Sequence, residues 1–207
     1  NYPVDIEFTA NYMEDGNYRI NLLQCRPLQV HGSESIELPD VDVALEDRIV
    51  EAHGAVVGQS RVGQIDRFIY VVPSRYGQLP VNTRYEIARL IGDINRAGKK
   101  DAPMNTMIIG PGRWGTSSPS LGIPVSFSDI NKVSILCEIV AMHDNLVPDV
   151  SLGTHFLNEL VEMDMLYLAL FPDKGENYLN TAFFEEAPSK LLDLVPTAEK
   201  WNDTVRV

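Results

Sequence analysis

A glycine-rich stretch from Gly110 to Ser118 holds residue types that could bind an anion. It follows a short apolar run, Met107 to Ile109, and carries the cation Arg113, the large aromatic Trp114 and three hydroxyls. Open α/β sheets place ligand sites in loops that follow buried strands. Glycines let backbone N–H groups approach a ligand or form a concave nest, and an arginine adds a fork of donors for phosphate or carboxylate. The pattern therefore predicts an anion site in this loop.

His155 is the second part of this predicted site. The stretch Ser151 to Phe156 opens a predicted helix, and the first turn of a helix favours an anion through its N–H groups and its dipole. If both segments follow strands of one sheet, His155 and Arg113 are expected at the same sheet edge. The predicted anion-binding residues are Gly110, Gly112, Arg113, Gly115, Thr116, Ser117 and His155.

A structural interpretation of the same loop stays open. The spacing lacks the Gly-Lys-Ser/Thr ending of a P-loop and the complete G-x-G-x-x-G of a dinucleotide fold. Turns that contain glycine also commonly connect secondary-structure elements without binding a ligand. In this alternative the loop is a tight connection, Trp114 fills the core and Arg113 pairs with an acid.

Composition narrows the classes of function. The chain has 207 residues, 44% of them hydrophobic, which is enough for one large or two small domains. Its net charge of −12 argues against nucleic acid or an anionic membrane as the main partner. Cys25 and Cys137 each lie in an apolar run, which predicts buried, reduced thiols and a cytoplasmic protein. The chain starts without methionine in what resembles mid-strand, so we expect a fragment of a longer protein.

Strand and helix patterns alternate in the larger part of the chain. Thr83 to Ile94 has apolar residues at helical spacing between two strand-like runs, which predicts a βαβ unit with parallel strands. The fold class expected from this alternation is α/β, a three-layer domain with a mainly parallel sheet of four or five strands. Glu138 interrupts an apolar run. It is compatible with a functional site or with an edge of the sheet, and we favour the edge because unpaired carboxylates avoid burial. The predicted strands are Phe68 to Val72, Met107 to Ile109, Val133 to Val140, Met165 to Phe171 and an edge strand, Thr204 to Val207.

Two β-rich runs precede this unit. Val4 to Ala10 and Tyr18 to Cys25 flank the dipeptide Asp15-Gly16, which is a strong hairpin signal. The first run alternates acidic and apolar residues, as a half-exposed strand does. An ordinary solvated amphipathic hairpin is the alternative to any functional role.

The hairpin residues carry a resemblance to a known family. Asp5-Ile6-Glu7-Phe8, the turn and Leu23-Gln24-Cys25-Arg26-Pro27 resemble the end of the ATP-grasp nucleotide-binding domain of phosphoenolpyruvate synthases and pyruvate phosphate dikinases. The resemblance implies that Glu7 and Gln24 help to hold Mg-ATP, with Glu7 as the metal ligand, and that Arg26 matches the family's arginine. It also implies a pyruvate- or phosphoenolpyruvate-like substrate and an upstream ATP-grasp lobe that completes the site.

A second resemblance covers roughly residues 45 to 175. The stretch Ile108 to Val125, with the later Gly153-Thr154-His155-Phe156, is similar to a domain that follows the ATP-grasp part in divergent phosphoenolpyruvate-synthase-like proteins. The family gives this domain no role that transfers residue by residue. The expected organisation is a hairpin remnant of an ATP-grasp domain (1–28), an acidic linker (29–47) and an α/β domain (48–207).

Three functional hypotheses follow from these patterns. The first is that the chain belongs to an ATP-dependent phosphotransferase, or kinase, that resembles phosphoenolpyruvate synthase and uses magnesium; alone, the chain would be inactive. The second is a regulatory module that binds a small anionic metabolite or phosphate at Gly110 to Ser118. The third is a non-catalytic scaffold or interaction domain.

Overall fold

The computed structural model describes residues 4–27, 43–53, 55–97, 104–141, 150–152, 154–172 and 174–207. Most of the predicted acidic linker lies outside these residues. The strands are β1 Val4–Tyr12, β2 Tyr18–Pro27, β3 Val50–Glu51, β4 Val56–Val57, β5 Arg67–Val71, β6 Thr106–Pro111, β7 Arg113–Trp114, β8 Gly122–Ile123, β9 Val133–Ile139, β10 Leu166–Leu170, β11 Tyr178–Leu179 and β12 Val205–Arg206. The α-helices are α1 Pro73–Gly77, α2 Arg84–Arg96, α3 Phe127–Ile130, α4 His155–Glu162, α5 Thr181–Glu186 and α6 Leu191–Leu194. Short 3-10 helices span Leu45–Asp47, Val81–Thr83 and Pro196–Trp201.

A six-stranded mixed sheet organises the α/β unit. Its strand order is β12-β5-β6-β9-β10-β4. The four central strands run parallel, and the two edge strands, β12 and β4, run antiparallel to their neighbours. The parallel centre and the C-terminal edge strand are therefore confirmed. The predicted βαβ unit is also confirmed: β5 and β6 pair in parallel, and α2 lies between them in the chain. Parallel strands need such a crossover, and its helix covers their apolar side chains.

The two faces of the sheet are covered differently. On one face α2 and α4 pack apolar side chains such as Ile87, Ile91 and Leu160 against the strands. On the other face the cover is the short ribbon of β3 and β11 together with α5, where Phe184 stacks on Tyr70 at a ring distance of 4.6 Å. The fold is therefore mixed α/β, with helices concentrated on one face and a thinner layer on the other.

The predicted hairpin is confirmed as β1 and β2, which form a separate two-stranded antiparallel sheet. Glu7 lies directly opposite Gln24, and the register then shifts at a β-bulge so that Phe8 lies opposite Leu22. All residues of β2 are exposed. The expectation that both cysteines are buried is half wrong: Cys137 is buried, but Cys25 is exposed because nothing in the described chain covers its face of the hairpin.

Three tyrosines in the α/β unit are expected to lose their protons late on titration. Burial raises the pKa of Tyr70 to about 12 and also raises the pKa values of Tyr76 and Tyr167. Between pH ~10 and ~12 the unfolded chain releases these protons while the folded chain keeps them, so stability should fall as pH rises through this window. Unfolding titrations across this range should show the fall. The fall should be smaller in Tyr70→Phe, which removes one of the three buried phenols.

Candidate functional site

The glycine-rich loop leaves the carboxyl end of β6 in the centre of the sheet. The backbone turns at Gly112, which has a φ of 69°. It then forms β7, which pairs in parallel with β8. The predicted position of the loop is therefore confirmed. The loop is nevertheless more regular than its glycine content indicates, because its two arms are hydrogen-bonded to each other.

Trp114 is a core residue. Its side chain is completely buried, and its indole N–H donates to the carbonyl of Cys137 at 3.1 Å. A buried indole needs such a partner for its N–H. For Trp114 the structural alternative raised by the sequence is therefore confirmed.

The backbone amides of the loop are used inside the protein. Gly112 N donates to Ile139 O at 2.9 Å, and Arg113 N donates to Leu121 O at 3.0 Å. Gly115 N donates to a carbonyl of β8, at Ile123, also at 3.0 Å. These N–H groups are the ones that a concave anion nest would need. The anion hypothesis therefore depends on side chains of the loop rather than on its backbone.

The hydroxyls of the loop take part in its own turns. The Thr116 hydroxyl accepts from Ser118 N at 3.1 Å and lies 3.2 Å from Ser118 O, to which it donates. The Ser118 and Ser120 hydroxyls are 2.9 Å apart. Short polar side chains commonly stabilise turns in this way. The Thr116 hydroxyl is therefore engaged inside the loop, and an anion would have to compete with Ser118 for it.

Close packing explains two of the loop glycines. A Cβ on Gly110 would lie 2.7 Å from Ile123 Cδ1 and 2.8 Å from Trp114 Cζ2. Gly115 has a φ of 70°, and a Cβ there would overlap the ring of Phe156 in α4. The glycines are therefore needed for contact between protein segments, and this contact brings the loop against the first turn of α4.

Buried Glu138 is the polar centre of this region, and its sequence-based placement at a sheet edge is wrong. Glu138 lies on β9, an inner strand of the sheet, and is only 1% exposed. Its Oε1 accepts from Trp114 N at 3.0 Å and from the Ser151 hydroxyl. Its Oε2 accepts from Ser151 N at 2.8 Å and from the Tyr167 hydroxyl at 2.6 Å. A carboxylate with four donors can be buried, which the edge prediction did not consider.

Glu138 therefore joins three segments: the glycine-rich loop, the segment before α4 and β10. Burial raises the pKa of Glu138, while the hydrogen bonds from Ser151, Tyr167 and Trp114 act in the opposite direction. The four hydrogen bonds require acceptors on both oxygens, which the ionised carboxylate supplies. The sequence signal for this cluster was a lone carboxylate inside an apolar strand; its partners are too distant in sequence to be recognised there.

The return arm of the loop is held by residues that sequence reasoning missed. The Tyr76 hydroxyl donates to Gly122 O at 2.7 Å. Buried Arg84 donates to Pro119 O at 2.7 Å and to Gly77 O at 2.9 Å, and its guanidinium lies 5.0 Å from the centre of the Tyr76 ring. Arginine forms such planar, multidentate contacts well. The arm is thereby tied to α1 and α2.

His155 is the first residue of α4 and is exposed. The helix is capped by Thr154, whose hydroxyl accepts from Leu157 N at 3.3 Å. A threonine is a common residue at this position, because its hydroxyl accepts from an unpaired N–H of the first turn. The loop meets this helix through Gly115 and Phe156, so the predicted proximity of the loop and the first turn of α4 is present.

The resemblance-based residues lie on the hairpin. Side chains directly opposite in an antiparallel pair share a face, so Glu7 and Gln24 point to the same side. Arg26, two residues beyond Gln24, shares that face, and its Nη1 lies 3.7 Å from Glu162 of α4. Within the described residues, no group of three or more histidine, cysteine or acidic side chains is placed to hold a metal.

The fold and the site define a mixed α/β protein with an adjoining amphipathic hairpin. No family model, curated protein or solved structure matches the chain. None of the helices in the described ranges has the length and apolar content needed to cross a bilayer.

Proposed function

We propose that the hairpin forms one wall of a Mg-nucleotide site in a longer, ATP-dependent phosphotransferase that resembles phosphoenolpyruvate synthase. The substrate would be pyruvate, phosphoenolpyruvate or a related small acid. The α/β unit would be an accessory domain, and the chain alone would not turn over substrate.

The observation that carries this proposal is the register of the hairpin. It places the Glu7 carboxylate opposite the Gln24 amide on one face, with Arg26 farther along that face. Magnesium takes carboxylate oxygens and substrate phosphates as ligands, an amide can donate to phosphate or accept from the nucleotide, and a guanidinium pairs with phosphate. The three residue types that the resemblance assigns to Mg-ATP thus share one surface.

The exposed ion pair between Arg26 and Glu162 can give way to a phosphate. The Arg26 and Glu162 side chains are 46% and 45% exposed, and exposed ion pairs contribute little to stability. A bound nucleotide offers a more highly charged partner. The wall still needs a facing lobe, because an open two-stranded sheet cannot exclude water from the phosphates.

Glu7→Gln is expected to weaken Mg-ATP binding by the longer protein at least about tenfold, because it removes a charged metal ligand while keeping the shape of the side chain. Isothermal titration with Mg-ATP measures this. Glu14→Gln is the matched control, since Glu14 is an exposed residue of the hairpin turn and the charge change is the same. Equal affinity in Glu7→Gln and the unaltered protein, or a gene product without an upstream ATP-grasp lobe, would rule out the proposal.

The scaffold hypothesis is a second candidate for the α/β unit. It is supported by the loop amides at Gly112, Arg113 and Gly115, which all donate to protein carbonyls. The sensor hypothesis would regain support from phosphate or phosphoenolpyruvate binding that is lost in Arg113→Ala.

A further inference from the structure

The hairpin has one face made of large apolar side chains, which we name the apolar stripe. Alternation along β1 and β2 and the register between them place these residues on the face opposite Glu7 and Gln24. Each is at least half exposed, and Tyr12 reaches 86%. The stripe consists of Val4, Ile6, Phe8, Tyr12, Tyr18, Ile20 and Leu22.

An exposed apolar stripe of this size indicates a surface that packs against another part of a protein. A two-stranded hairpin is at best marginally stable by itself in water. Exposed apolar patches larger than a few hundred Å² mark interaction surfaces on soluble proteins. The contact of Arg26 with Glu162 is made from the opposite face of the hairpin, so among the described residues it does not cover the stripe.

The distribution of charge makes a second copy of the chain a suitable partner for the apolar stripe. The chain has a net charge of −12, which opposes self-association over most of its surface. The stripe has no charged side chain, whereas Glu7 and Arg19 lie on the other face. Two identical stripes can therefore meet about a twofold axis without placing like charges against each other.

The area of the stripe fits a dimer as well. Its seven large side chains are each half exposed or more. Their exposed surface adds up to roughly 800 Å², which is the area that one partner buries in a standard interface. Flat apolar sheets pack face to face at a distance of about 10 Å. We propose that two copies of this chain form a symmetric dimer in which their apolar stripes pack against each other.

This dimer does not depend on the proposed function. It leaves the face with Glu7 and Gln24 directed outward on both copies. A nucleotide wall and a dimer interface can therefore exist on the two faces of the same hairpin.

Sedimentation of the chain across a range of micromolar concentrations tests the dimer. We expect a shift from the 23.1 kDa chain to twice that mass as concentration rises. Leu22→Lys should raise the dimer Kd at least about 100-fold, because each interface would then bury two unpaired ammonium groups. Asn21→Lys is the matched control: the neighbouring residue lies on the opposite face, so the same charge should leave the Kd within a few fold.

Ile20→Thr keeps a β-branched residue in the strand and removes apolar area, so it tests the stripe with little effect on the hairpin itself. It should weaken the dimer while leaving the far-ultraviolet spectrum unchanged. A monomer at every concentration would overturn the proposal. So would association that Leu22→Lys and Asn21→Lys weaken equally, or that Leu22→Lys does not weaken.

Discussion

Replacing Glu138 by glutamine should lower the free energy of unfolding by about 2–4 kcal/mol, because buried donors would lose their acceptor. Glutamine has almost the same shape, but one of its two terminal atoms is an amide nitrogen. In either orientation that nitrogen faces a backbone N–H, at Trp114 on one side or at Ser151 on the other. Two donors then oppose each other in a site that is only 1% exposed.

Denaturant titration of Glu138→Gln measures this loss. For a chain of this size, we also expect the melting temperature to fall by roughly 4–16 °C. Glu159→Gln, on the exposed side of α4, makes the same chemical change and should stay within about 0.5 kcal/mol of the unaltered protein. If the two variants are equally stable, Glu138 does not hold the three segments together as the structure indicates.

The hydrogen-bonded cluster around Glu138 shows what could and could not be predicted from the sequence. The apolar run of β9 correctly predicts an inner strand, and the periodicity of α2 correctly predicts its buried face. Those signals are local and repeat at the period of the element. The partners of Glu138 are 24, 13 and 29 residues away along the chain. Only the folded topology brings them together, so a buried carboxylate could not be distinguished from one at an edge.

The glycine-rich loop shows a second limit. A nest of amides for an anion and a tight packed connection need the same residue, glycine, for different reasons. The sequence does not tell where each N–H is directed, and here the N–H groups of Gly112, Arg113 and Gly115 are directed to carbonyls. By contrast, the hairpin was predictable because its turn and its alternation agree. The exposure of Cys25 could not be predicted, because an alternating strand does not reveal whether its apolar face is covered.

Close packing of the glycine-rich loop against α4 predicts a large loss of stability when Gly115 is replaced. Gly115→Ala should cost about 2–5 kcal/mol of stability. Roughly 1–2 kcal/mol comes from holding an alanine in the left-handed region, and about 1–3 kcal/mol from overpacking against the ring of Phe156. Gly175→Ala is the matched control, because Gly175 has a φ of 64° but its Cβ would approach only Asn177 Nδ2, at 4.0 Å.

A double-mutant cycle separates the two contributions. Combining Gly115→Ala with Phe156→Ala removes the ring that the new methyl group would meet, so the cost of Gly115→Ala should fall towards that of Gly175→Ala. Chemical denaturation of the four proteins in the cycle gives the coupling energy, for which we expect about 1–3 kcal/mol. A coupling near zero would mean that the loop tolerates a side chain at residue 115. In that case the glycine would not be explained by contact with α4, and a ligand that approaches the backbone there would become the better explanation.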